Sequence, residues 1–125
     1  MFKIENGTIY IHRGDSATFG YSIDVDEDTK YEFEVGDKVE FTVFQKQGYD
    51  KTPVIDKTIT VTETTEEVDI DLTEQDTTIG DPANKPVTYW YEISLNGDNT
   101  VNGYDPDNGA LEFILLPAKG GDINE

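Results

Sequence analysis

The nine residues Val87-Thr88-Tyr89-Trp90-Tyr91-Glu92-Ile93-Ser94-Leu95 decide the fold. Val87, Tyr89, Tyr91, Ile93 and Leu95 fall on one side of a ribbon of period two, and Thr88, Trp90, Glu92 and Ser94 on the other. A helix would scatter those five apolar side chains around its axis. β-branched and aromatic residues also dominate the run, so it reads as a strand. Asn96-Gly97 closes it with a turn signal. An apolar face this regular needs a second sheet to cover it, which points to a sandwich.

The same alternation recurs on both sides of that strand. Upstream, Ala17, Phe19, Tyr21 and Ile23 share one face of a run from Ser16 to Asp24. Val39, Phe41 and Val43 share one face of Lys38 to Lys46, with Phe44 out of phase. Val54 to Thr62 alternates through Ile55, Ile59 and Val61, and Lys57 interrupts it as an edge strand permits. Val68, Ile70 and Leu72 make a short strand, and Tyr31 and Phe33 a short extended piece. Phe2–Glu5 and Thr8–Ile11, joined by Asn6-Gly7, read as a hairpin or a bent edge strand. Downstream, a strand near Thr100-Val101 precedes a last one from Ala110 to Leu116, with Leu111, Phe113 and Leu115 on one face. Thr73-Glu74-Gln75-Asp76 has the Thr-x-x-Asp form of a helix cap and predicts one short helical turn near 73–78. Seven to eight mostly antiparallel strands with turn signals about every 8–12 residues describe an all-β protein, an immunoglobulin-like β-sandwich. It forms one domain over 1–117, and the polar, glycine-containing residues 118–125 read as a flexible tail.

Charge narrows the function. The 125 residues carry a net charge of −18. Residues 1–62 hold 7 basic and 12 acidic groups, and residues 63–125 hold 2 and 15, so the second half is the more acidic. Such a field repels phosphate backbones and excludes nucleic acid as a partner. It keeps the chain soluble and predicts a monomer or weak dimer in isolation. There is no cysteine, hence no disulfide and no thiolate metal site, in keeping with folding in a reducing cytoplasm. The N-terminus shows no signal peptide, and no run approaches the ~20 apolar residues of a membrane helix, so no membrane partner is expected.

Arg13-Gly14-Asp15 is a tripeptide that some adhesive proteins present to integrins, but a bare tripeptide is weak evidence. Its structural reading is a turn in which Gly14 supplies positive φ and Asp15 bridges the turn through its side chain. Asp24, Asp26 and Asp28 alternate as calcium-loop ligands do, yet Thr29 and Val35 stand where the helix-loop-helix calcium loop needs glycine and glutamate. A weaker oxygen-ligand site sharing Asp105 and Asp107 is the remaining metal reading, set against a solvated acidic loop. His12 is the only histidine, and no elbow motif surrounds Ser16 or Ser22, so no catalytic residue is assigned. The many acidic residues leave a paired-carboxylate glycosidase open, but small sandwiches usually lack the deep cleft it uses. We therefore expect no enzyme and no cofactor. Trp90, Tyr89, Tyr91 and Tyr104 are the candidate interface residues, as protein contacts or as a platform for sugar rings. Trp90 is exposed in that reading; the alternative packs it beneath the segment Thr77 to Pro86.

Arg13-Gly14-Asp15-Ser16-Ala17-Thr18-Phe19 opens the chain's main body, and Val39-Glu40-Phe41-Thr42-Val43 follows the Gly36-Asp37 turn. Asp71-Leu72-Thr73-Glu74-Gln75-Asp76 then leads through a proline-containing linker to Tyr89-Trp90-Tyr91-Glu92-Ile93, and Phe113-Ile114-Leu115 closes the series. Over residues 8–117 this order resembles small sandwich domains of tailed phages and prophages of Gram-positive bacteria, including the N-terminal domain of the baseplate upper protein family. The resemblance implies a non-enzymatic structural part of a virion, made in the host cytoplasm, that docks onto other tail or baseplate proteins. It supplies no catalytic residues. The alternative function is a carbohydrate-binding or cell-surface adhesion module using the same aromatics.

Overall fold

The computed structural model describes residues 2–5, 7–45, 53–80, 84–97, 99–102, 104–105 and 109–117. Its strands are β1 (Phe2–Glu5), β2 (Thr8–His12), β3 (Ala17–Tyr21), β4 (Lys38–Phe44), β5 (Pro53–Thr60) and β6 (Val68–Leu72). They continue with β7 (Val87–Leu95), β8 (Asn99–Asn102), β9 (Tyr104–Asp105), β10 (Gly109–Ala110) and β11 (Glu112–Leu116). The fold is all-β. No helix of the described residues is long and apolar enough to cross a membrane.

Seven strands form one sheet in the order β1-β2-β11-β7-β4-β5, with β8 also pairing β7. Strands β3 and β6 form a second sheet of two. The nine residues quoted first lie at the centre of the large sheet. β7 pairs β4 from Trp90 to Leu95 on one side, while on its other side β11 takes Val87 to Trp90 and β8 takes the far end. Among the described residues all pairings are antiparallel except β11 with β2, where Phe113 lies beside Ile9 and Leu115 beside Ile11. Asn96 (φ 56°) and Gly97 (φ 74°) both adopt left-handed conformations at the end of β7, which is why an Asn-Gly pair stands there.

Between the sheets the inward side chains form one core. Tyr89, Tyr91 and Ile93 of β7 are buried with Val39, Phe41 and Val43 of β4 and with Ile9, Ile11, Phe113 and Leu115. From the small sheet, Val68, Ile70 and Leu72 are buried against them. Aromatic rings bridge the layers: Phe19 lies 5.8 Å from Phe2 and 5.9 Å from Phe41, which in turn lies 5.4 Å from Tyr91. Such ring contacts pin two sheets in a chain that has no cysteine.

Two expectations change. The segment after β6 is a hydrogen-bonded turn and not a helical one. The predicted cap does form, because the Thr73 N–H donates to Asp76 Oδ2 (2.8 Å) and the Asp76 N–H donates to Thr73 Oγ1 (3.1 Å). Only one bond of helical span follows, Thr77 N–H to Thr73 O, before Thr78 N–H turns back to Gln75 O. A helix needs successive bonds to offset its costly first turn, and here Thr77 is drawn to Gly14 and Asp15 in the turn between β2 and β3 instead. Among the described residues the strand count is eleven rather than seven or eight. The Phe2–Ile11 region is a true hairpin, and the last strand expected from Ala110 to Leu116 is interrupted at Leu111, whose carbonyl accepts the Tyr91 N–H. Phe44 is out of phase because the β4–β5 register shifts between Val43 and Phe44.

Candidate functional site

Gly14 (φ 86°) turns the chain between β2 and β3, a conformation that disfavours any side chain. The turn is tied to β11 by Arg13 N–H donating to Leu116 O at 2.9 Å. The Arg13 guanidinium reaches away to donate to the carbonyls of Ile79 (2.6 Å) and Gly80 (3.0 Å). Thr77, fully buried, accepts the Gly14 N–H at 3.0 Å and donates to Asp15 O at 2.7 Å. One arginine and one threonine thus fasten the entry to β3 onto the connection leading to β7. The guanidinium of the Arg-Gly-Asp tripeptide is held by the protein's own carbonyls.

The turn is fastened on its other side as well. Lys57 faces inward from β5 and meets Asp76 Oδ2 at 2.9 Å. Burial pushes the Asp76 carboxyl up, but hydrogen bonds from Thr73 and the Lys57 ammonium outweigh it and hold the carboxyl below its ordinary range. The lysine that broke the apolar alternation of β5 is therefore a clamp between the edge strand of the large sheet and the turn that follows β6.

The four candidate aromatics are separated by the strand period. Tyr89 and Tyr91 point inward and are buried. Tyr91 donates its hydroxyl to Gly7 O, and burial pushes that phenol up to about 12. Trp90 lies on the outer face of the large sheet, half-buried, between Glu112 on β11 and Phe44 on β4. Tyr104 belongs to β9, whose side chains lie outside the described residues. Beside Trp90, the sheet register sets Thr88 next to Ile114, Ile114 next to Tyr10, and Tyr10 next to Lys3, whose ammonium sits 5.1 Å above the Tyr10 ring. Tyr10, Ile114, Leu116 and Trp90 are all half-buried, so the solvent side of this sheet carries an apolar band. Sequence reasoning missed Ile114 and Leu116. Their signal was the unbroken apolar run Phe113-Ile114-Leu115-Leu116, which leaves no polar residue for the outward positions.

At the other end of that face stand carboxylates. Glu40 on β4, Asp56 on β5 and Glu92 on β7 surround Thr42 in register. A hydrogen bond with Asp56, then burial, then the Asp56 charge raise the Glu40 carboxyl above its ordinary value. The Asp24–Asp28 loop is different: it is exposed and bonds internally. Asp24 pairs with Lys30 at 2.9 Å, and Asp26 accepts the Asp28 N–H, which lowers its carboxyl. Among the described residues no group of three or more acidic or histidine side chains is placed to hold a metal ion. Asp107 and the side chain of Asp105 lie outside the described residues. His12 approaches the Pro117 carbonyl at 2.7 Å through Nδ1, an interaction with the chain's own backbone. A depression of about 790 Å³ lies along Ser16–Thr18 and Asp71–Gln75 and opens to solvent. The chain matches no protein-family model, no curated protein and no solved structure in the comparisons made.

Proposed function

We propose that this chain is a non-enzymatic structural module of a tailed-phage or prophage virion, associated with the tail or baseplate and acting by protein–protein contact. The observation that carries the contact reading is the apolar band of Tyr10, Ile114, Leu116 and Trp90 on the water-facing side of the large sheet. Polar residues would serve those positions equally well for folding, and aromatic anchors flanked by charge are what protein interfaces use. The virion assignment is supported by the order of motifs from Arg13 to Leu115 that resembles the phage sandwich domains. An immunoglobulin-like topology is supported by the strand order β2-β11-β7-β4-β5 facing β3-β6, with β2 parallel to β11. The Tyr89 hydroxyl adds to it by lying so close to Gly80 that a Cβ there would be 2.6 Å away, much as the tyrosine corner of such sandwiches sets a tyrosine near the start of a strand against the backbone a few residues upstream.

The test begins with the neighbouring reading frames, which are expected to encode tail or portal proteins. Mixed with those products, the protein should enter a complex seen by light scattering, while alone it stays a monomer or weak dimer because of its −18 charge. Trp90→Ala should weaken that complex by about tenfold or more, as removal of a central aromatic anchor does. Glycan binding lost on the same substitution, with no such complex, would replace this reading with carbohydrate recognition.

A further inference from the structure

We propose that the outer edge of β3 is an acceptor site for an extended strand of a partner protein, one that carries lysine or arginine at alternate positions. Among the described residues β3 pairs with β6 alone. The two strands are unequally covered: the inward side chains of β6 are buried, whereas Ala17 and Phe19 of β3 are only half-buried. On the β6 side the layers close, through the contacts of β5 with β6 and the Lys57–Asp76 pair. On the β3 side, among the described residues, no strand pairs the outer edge of β3.

Ile4 of β1 lies opposite Ile9 of β2 in register, on the inward face, yet 46 % of its surface is exposed. Phe2, two residues earlier on the same face, stacks on Phe19. A strand added beside β3 would therefore lie toward Phe2 and the exposed Ile4. A strand placed there would complete the β3 hydrogen-bond ladder and cover Ile4 and Phe19 with alternate side chains.

Charge selects the occupant. Its other side chains would stand on the outer face of the small sheet, beside Thr18 and Gly20. Carboxylates crowd this face. Thr18 donates its hydroxyl to Asp71, and the Glu67 side chain lies across Gly20, close enough that a Cβ there would meet its carboxylate. Neither β3 nor β6 contains a lysine or arginine. A second copy of this chain, at −18, is repelled from this edge, whereas a basic strand is drawn to it.

The site rests on the contact-module reading and specifies one partner geometry for it. The isotope-labelled full-length protein is titrated with a peptide of roughly seven residues, enough to span β3, alternating valine and lysine. Controls are the same residues in a non-alternating order and a valine–glutamate alternation. The alternating lysine peptide should bind and slow amide exchange within Ala17–Tyr21, and neither control should do so. Ile4→Ser should weaken binding about fivefold through lost apolar burial, and Glu67→Gln should weaken it while leaving the same amides protected. No binding, or equal binding of both lysine peptides without protection in β3, overturns the proposal. Trp90 lies on the opposite side of the large sheet, so a Trp90-dependent complex that persists when the peptide fails would leave the module reading standing and remove only this site.

Discussion

The two faces of β7 carry the same strand into different duties. Inward, Tyr89, Tyr91 and Ile93 are buried among phenylalanines and aliphatic side chains, and the Tyr91 hydroxyl finds a carbonyl at Gly7. Outward, Thr88, Trp90, Glu92 and Ser94 are all half-buried, in neighbourhoods that run from the apolar Ile114 to the carboxylates Glu40 and Asp56. The inward face is constrained by volume, because a close-packed interior registers each missing methylene. The outward face is constrained only by what meets it. Conformational order belongs to the first, and the proposed contact would be made by the second.

The largest way to break the inner side is Phe41→Ala. Phe41 is fully buried and contacts Phe19, Tyr91 and Phe113. Denaturant unfolding should show a loss of about 3–5 kcal/mol, a cavity that its aromatic neighbours cannot close. A loss below about 1 kcal/mol would mean that the core is not packed around this ring.

Thr77→Ala probes a place where the two sheets are held by polar bonds rather than by volume. It leaves the Gly14 N–H without its acceptor and the Asp15 carbonyl without its donor. Unfolding should show about 1–3 kcal/mol lost, the cost of stranding buried polar groups. Thr77→Ser, which keeps the hydroxyl, should recover most of it. Equal losses for both variants would assign the effect to the methyl group instead.

Glu40→Gln sharpens the outer side, where the effect is smallest and of opposite sign. The fold raises the Glu40 carboxyl above its unfolded value, so the folded chain binds the proton more tightly and stability falls as pH rises through that window. The glutamine variant should be more stable at neutral pH by a few tenths of a kcal/mol, the scale of a like-charge pair across strands. Its advantage should close as the pH falls through the raised pKa of Glu40 to the ordinary carboxylate range. An advantage that grew in acid would reverse the reading of this pair.

Much of the architecture was legible in the alternation itself. Val39, Phe41 and Val43, then Val68, Ile70 and Leu72, then Tyr89, Tyr91 and Ile93 are buried where a period of two places them. The Asn96-Gly97 turn was equally legible, since two consecutive left-handed residues demand that kind of pair. Less legible was the fate of Thr73–Thr78. The cap chemistry is local and formed as the motif predicts, but continuation into a helix depended on where Thr77 found its partners. Those partners stand more than sixty residues away, beyond the reach of any local signal.

The sequence by itself determined which side chains are inward, that the chain is built from strands, and that its surface repels anions, because side-chain period and charge are properties of the chain's own order. Only the tertiary structure decided that the Arg13 guanidinium ties to the carbonyls of Ile79 and Gly80, that Lys57 clamps Asp76, and that Tyr10, Ile114, Leu116 and Trp90 gather on one outer face. Strand order and register make those choices. They are settled by long-range pairing, which joins residues that the sequence keeps far apart.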